Sequence, residues 1–314
     1  MARSIFSTAP AFATIEVVGT CNLRCPSCPV ANMPDEPRTK GFMPVELFER
    51  IVAKIKREAP VANPDVWLFN WGEPLLHPEL PRIIRTLKAN GLGAHVSSNL
   101  NIHRGLREAI RAEPDSLKIS LSGASPEVYR RGHARGDLHL VKSNLYLLRH
   151  LLDRTRAKTR VWVGYHLYRH NLHEREAMRA LCAELGFEFH ESPAMFHPVE
   201  KMIDLIDGKR SPEDAAIIGS LLRDPLEHHR DVRARRSGRY DCELRFNMTT
   251  INHDGTVAAC CATYSAQAML GVSFLDVPHH ELEAMRYRHA ICRQCTAYDL
   301  QYTVAELEPN APVG

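Results

Sequence analysis

An α/β fold built on a parallel sheet is what this sequence predicts, and two observations carry that expectation. From residue 13 to about 192, short β-branched runs alternate with amphipathic segments, the pattern of successive βα units. Within the amphipathic segments apolar residues recur three and four apart, which gives a helix one buried face. Six units are expected, with strands at 13–18, 66–70, 94–98, 116–122, 160–167 and 187–191.

The elements follow in order. ATIEVVG (13–19) is an apolar, β-branched strand, and Val45, Phe48, Val52 and Ile55 mark the helix after it. VWLFN (66–70) is the second strand; Leu80, Ile83, Ile84 and Leu87 form a helix that stops at Asn90-Gly91. Leu145, Leu148, Leu151 and Leu152 mark a later helix, and in VWVGYHLY (161–168) the period of two puts Trp162, His166 and Tyr168 on one face. Six units are two short of a closed eight-stranded barrel. Residues 193–241 read as a connection with one helix, capped by Ser211, Pro212 and Asp214 ahead of Ala215, Ile218, Leu221 and Leu222. It ends in an arginine run, RDVRARRSGR (230–239), suited to a solvated face or to bidentate contact with an anion. The expected division is therefore 1–192, 193–241 and 242–314.

Composition excludes several classes. The 314 residues are 44% hydrophobic and 25% charged, ordinary for a globular chain with a sizeable core, and a net charge of +3 is too small to argue for nucleic acid. No run of 18 apolar residues marks a membrane span, and IFSTAPAFA near the N-terminus is too interrupted for a secretory segment. A cytoplasmic protein is expected. Nine cysteines, an odd number in C-x-x-C-like spacings, argue for metal rather than disulfides.

Cys21, Cys25 and Cys28 stand in CNLRCPSC, directly after the first strand. Three thiolates on one tight loop can hold three irons of a four-iron cluster and leave the fourth open; zinc would ask for a fourth ligand, and none stands nearby in sequence. With this spacing the chain resembles the radical S-adenosylmethionine (SAM) superfamily, whose hallmark is C-x-x-x-C-x-x-C after the first barrel strand. Two further motifs carry the likeness. WGEPLL (71–76) resembles the Gly-Gly-Glu-Pro element that holds the amino group of SAM, with Trp71 in place of the first glycine before Gly72 and Glu73. ISLSGAS (119–125) resembles the strand whose serine, here Ser122, contacts SAM.

The resemblance implies a partial (β/α)6 TIM-like barrel, open on one side for substrate, with Trp71, Gly72, Glu73, Ser98 and Ser122 around SAM. It also implies the chemistry: SAM chelates the open iron, an electron breaks its C5′–S bond, and the 5′-deoxyadenosyl radical takes hydrogen from an unactivated C–H. An electron donor such as flavodoxin or ferredoxin is expected.

A second cysteine set lies at Cys242, Cys260, Cys292 and Cys295. The TTINHDGTVAAC segment reads as a hairpin turning at Asp254-Gly255, which carries its flanking cysteines together. C-x17-C with C-x2-C resembles the twitch domain, a shortened SPASM domain with one auxiliary [4Fe–4S] cluster, so two clusters are expected; a zinc ribbon also fits hairpin plus C-x-x-C. Of the other two cysteines, Cys182 lies on an apolar helix face and reads as an inert core thiol. Cys261 reads as a packed neighbour of a ligand, an alternative ligand, or a thiol facing substrate. His166 and Tyr168 are candidates to touch SAM or substrate.

By its cysteine spacing the chain resembles the aminocyclitol dehydrogenase type, which implies oxidation of a small-molecule alcohol such as a sugar or cyclitol. Modification of a ribosomal peptide, or redox-neutral epimerisation or decarboxylation of a sugar, uses the same motifs, although only twenty residues precede Cys21, too few for a peptide-recognition domain. A zinc-bound scaffold, able to bind RNA, is the non-enzymatic alternative.

Overall fold

The computed structural model describes residues 12–58, 64–235, 241–242, 244–245 and 248–307. The start of IFSTAPAFA and residues 236–239 of the arginine run lie outside them. Six strands run parallel in the order β6-β5-β4-β3-β2-β1: β1 (Phe12–Ile15), β2 (Asp65–Trp67), β3 (Gly93–Ser98), β4 (Ser116–Ser120), β5 (Arg160–Leu167) and β6 (Glu188–Pro193). Helices follow: α1 (Pro29–Asn32) and α2 (Val45–Glu58) after β1, α3 (Leu80–Ala89) after β2, α4 (Leu106–Arg111) after β3, α5 (Pro126–Gly132) and α6 (Leu138–Thr155) after β4, and α7 (Arg175–Leu185) after β5. This is the α/β partial barrel.

The two faces of the sheet differ, and the difference makes the site. On β4, Leu117 and Ile119 are 2% and 0% exposed among the helices, whose apolar stripes (Phe48, Val52 and Ile55; Ile83, Ile84 and Leu87; Leu145, Leu148 and Leu152) belong to the same core. The alternate residues Lys118, Ser120 and, just beyond the strand, Ser122 line a cavity on the concave side. A closed barrel fills its interior with branched side chains; this one turns polar side chains inward and leaves room. Cys182 packs in the core at 2% exposure, as expected.

β1 and β2 end sooner than the sequence predicts; beyond their ends the Glu16 side chain accepts from the Trp71 and Gly72 N–H groups, and Glu73 N–H donates to Thr20 O at 2.9 Å. Residues 193–241 hold three helices among the described residues where one is expected: α8 (Val199–Ile206), α9 (Pro212–Ser220) and α10 (Pro225–Arg235). The α9 start is the expected capping box of Ser211 and Asp214, but the helix stops at Ser220 because Leu221 bridges to Tyr168.

The C-terminal region continues the sheet. β7 (Met248–Ile251) runs parallel to β1 from Phe12↔Met248 to Ile15↔Ile251, and β8 (Thr256–Ala258) and β9 (Met269–Ser273) add antiparallel. The β7–β8 hairpin turns at Asp254-Gly255 as expected. Gly255 sits at φ 85°, which favours glycine, and Asp254 accepts from the Thr256 N–H at 3.0 Å. Then come α11 (His279–Arg288), α12 (Ala290–Ala297) and α13 (Leu300–Leu307). No helix among the described residues is long and apolar enough to cross a membrane.

Candidate active site

One cavity of about 610 Å³ on the concave side is lined by Cys21, Cys25 and Cys28 together with Trp71, Gly72, Glu73, Ser98, Ser122, His166, Tyr168 and Cys261. Every residue the sequence assigns to the first metal site, to SAM or to catalysis meets here, drawn from the ends of separate strands.

Local bonds explain how the cysteine loop keeps its shape. Arg24 donates to the carbonyls of Cys21 and Leu23 at 2.8 and 2.7 Å, and Cys28 N–H donates to Cys25 O at 2.9 Å before Pro29 starts α1. The sulfurs meet donors. Leu23 N–H lies 3.4 Å and Asn99 Nδ2 3.7 Å from Cys21 Sγ. His133 Nε2 accepts from Ser122 N–H at 3.0 Å, so its proton sits on Nδ1, 3.7 Å from Cys25 Sγ. Burial pushes the Cys21 thiol up to about 11, Cys28 to about 12 and Cys25 upward as well, so these thiols keep their protons until a metal displaces them. Donors aimed at sulfur fit thiolates carrying charge, and the set fits an iron–sulfur cluster.

The second motif is anchored by a residue the sequence reading missed. Glu16, 1% exposed, accepts from Trp71 N–H at 2.9 Å and Gly72 N–H at 3.1 Å while pairing with Arg38 at 2.6 Å. Its signal was a lone acid inside an apolar strand. Gly72 passes so close to the β1 loop that a Cβ would stand 1.8 Å from Val18 O, so no other residue fits there. Trp71 turns its indole to the C-terminal region, donating to Thr263 O at 2.9 Å and meeting His197 edge-on. It fastens the β2 loop to the chain after β8.

Glu73, 2% exposed, accepts from Leu75 N–H at 3.0 Å and Asn99 N–H at 2.8 Å. Ser98 also hydrogen-bonds to it, and the carboxylate still has lone-pair capacity for a cationic group in the cavity. Burial lifts its carboxyl from 4.5 to about 7. The folded chain therefore holds a proton the unfolded chain has lost, and stability falls as pH rises from about 4.5 to about 7 unless a bound cation relieves it. Glu73→Ala is expected to leave two buried N–H groups without acceptors, at about 1–3 kcal/mol each, and to weaken SAM binding while iron content stays. A denaturant midpoint and an anaerobic SAM titration check both, and unchanged SAM affinity removes Glu73 from the site.

Lys118, also missed, lines the cavity with its ammonium 5.0 Å from the Trp162 ring centroid. The period of two from Ser122 would have found it. Ring burial pushes His166 down to about 3 and His133 and His197 to about 4, so all three are neutral. His133 carried no sequence signal, since α5 rather than a strand brings it in. Cys261 is 8% exposed and both packs in the second apolar cluster and lines the cavity.

Its neighbour Cys260 faces elsewhere. Cys242, Cys260, Cys292 and Cys295 line a separate small, largely apolar cavity, with Cys292 and Cys295 three apart on α12. Burial raises Cys242 to about 12 and Cys292 to about 11. Beside them lies Arg286, 2% exposed, whose Nη1 donates to Arg245 O at 3.2 Å while Nε and Nη2 have no hydrogen-bond partner among the described residues. A buried guanidinium costs free energy unless negative charge faces it. Four thiolates holding a metal centre fit that need.

The sequence model of the radical SAM superfamily matches residues 15–182, more than half of the chain. This protein belongs to the radical SAM superfamily. It is accordingly an enzyme, and the superfamily uses a [4Fe–4S] cluster with SAM. No curated protein matches the chain. Among solved structures, anSMEcpe with bound AdoMet is 13% identical at TM-score 0.57, over 91% of this chain and 82% of its own. BtrN in complex with AdoMet and 2-DOIA is 11% identical at TM-score 0.52, over 92% and 90%. Streptococcus suis SuiB bound to precursor peptide SuiA is 12% identical at TM-score 0.57, over 90% and 66%. At these identities the likeness is one of fold.

Proposed function

We propose that this radical SAM enzyme is an oxidoreductase acting on a small-molecule alcohol. In this reading Cys21, Cys25 and Cys28 hold the catalytic cluster, and Trp71, Gly72, Glu73, Ser98 and Ser122 surround SAM. Cys242, Cys260, Cys292 and Cys295 hold an auxiliary [4Fe–4S] cluster of the twitch type. The partial barrel then spans 1–192, the connection 193–241 and the auxiliary region 242–314, in a cytoplasmic protein served by flavodoxin or ferredoxin.

The observation that carries the reading is the meeting of three locally spaced cysteines with three other strand ends in one cavity. Four thiols beside an orphaned guanidinium support the second site.

When bound, the cofactors would supply one-electron chemistry, by which an alcohol could lose a hydrogen atom from its carbinol carbon, a proton from its oxygen to solvent and a final electron. The chain does the rest. Arg24, Asn99 and His133 hold the cysteine loop and its sulfurs, Glu16 and Glu73 fix the loops around SAM, and neutral His166 and Tyr168 are placed to orient a hydroxyl. Consumption of a candidate alcohol with equimolar 5′-deoxyadenosine tests this reading; 5′-deoxyadenosine without any oxidised product contradicts it.

Cys261 favours a second reading, redox-neutral epimerisation, in which its S–H returns a hydrogen atom to the substrate radical and an electron from the donor with a proton from water restores the thiol. In deuterated water that reaction is expected to place one deuterium in the product and Cys261→Ala to prevent it. Oxidation incorporates none.

A further inference from the structure

A second cavity of about 510 Å³ lies against the first, and Ser27, His166, Tyr168, Ser192 and His197 line both. Tyr168 Oη meets Ser27 Oγ at 2.7 Å within that shared wall. Beyond it the lining becomes apolar: Met195, Phe196, Val199, Met202, Leu221 and Leu300. The volume falls within the roughly 300–1,000 Å³ that buries a drug-sized ligand.

Charged and polar groups also border that lining. Arg223, Arg235 and His228 all border the chamber. Among the described residues Arg223 makes no ion pair or hydrogen bond, and Arg235 reaches the Asp231 carbonyl, at 3.2 Å, and no carboxylate. Arg233 on the same helix is satisfied differently, by Asp299 at 2.8 Å. Arginines without a carboxylate partner beside an apolar chamber are suited to an incoming anion, which a guanidinium grips through paired N–H groups.

A sugar or cyclitol would press part of its hydroxyl shell against the apolar stretch of this lining, at a cost on the order of 1–3 kcal/mol for each buried unpaired group. We infer that the substrate is an amphiphile, with a hydrocarbon body in this chamber, a carboxylate or phosphate on Arg223 and Arg235, and its reacting carbon at the Tyr168–His166 wall. The inference rests on the first cavity being the SAM site, and it replaces the sugar or cyclitol that cysteine spacing implies.

Calorimetry on anaerobically purified protein, without reductant, tests it with decanoate, decyl phosphate, 1-decanol and myo-inositol. Decanoate or decyl phosphate is expected to bind once per chain, whichever binds tighter naming the headgroup, and inositol is expected not to bind. Arg223→Ala with Arg235→Ala should weaken the anion roughly tenfold or more while leaving 1-decanol unchanged. Met202→Trp should fill the chamber and remove both, with SAM binding as the check on folding. Binding of inositol, no binding of either anion, or equal anion affinity in the wild type and the double-arginine variant overturns the proposal. SAM cleavage in the same preparations reports on the catalytic reading separately.

Discussion

Replacing Cys21, Cys25 and Cys28 together by Ala is expected to abolish 5′-deoxyadenosine formation under dithionite and to lower iron from about eight to about four per chain. The effect is large because no other described Cys lines that cavity except Cys261, and one thiol cannot hold a cluster. Their neighbours Asn99 and His133 cannot compensate, since both are donors at those sulfurs rather than ligands. Iron analysis and chromatography of the SAM products check the result. Cleavage at the wild-type rate would mean that these cysteines serve another purpose.

Removing Cys292 and Cys295 should act differently. Both lie on one face of α12, remote in sequence from the SAM loops, and line a cavity separate from the first. In the proposed reading the second site then loses its iron, and Arg286 is left buried without the thiolate charge beside it. Product formation is expected to fall at least tenfold while 5′-deoxyadenosine persists, because in that reading hydrogen abstraction does not need the second site but removal of the last electron does. Equal loss of both, in a variant whose circular dichroism is native, would assign these cysteines a structural role. An unchanged product yield would rule out electron transfer through them.

Much of this arrangement was legible in the sequence because strand and helix periods report directly on burial. Alternation placed Trp162, His166 and Tyr168 on one face, and that face lines the cavity. The Asp254-Gly255 turn was readable because left-handed backbone favours glycine. The connection was harder. VEKMIDLI has helical spacing, yet α8 follows Pro198 in a stretch without strand punctuation, and the second cavity it borders arises from packing between segments distant in sequence. Glu16, His133 and Arg286 were illegible for a related reason: each matters through a partner far along the chain, Trp71 at 55 positions, Cys25 at 108 and Arg245 at 41. Local pattern cannot register such pairs. Sheet continuity across 241–242 was equally hidden, because the register of β7 on β1 joins segments more than 230 residues apart.

The central claim is that Cys21, Cys25 and Cys28 leave one iron open to SAM. Electron paramagnetic resonance of the anaerobic, dithionite-reduced protein, recorded with and without SAM, tests it most directly. Brown protein whose reduced-cluster signal shifts when SAM is added, with the shift lost in the triple-cysteine variant and kept in the Cys292 and Cys295 variant, is the predicted result. A colourless protein carrying zinc, or a cluster signal indifferent to SAM, would contradict it.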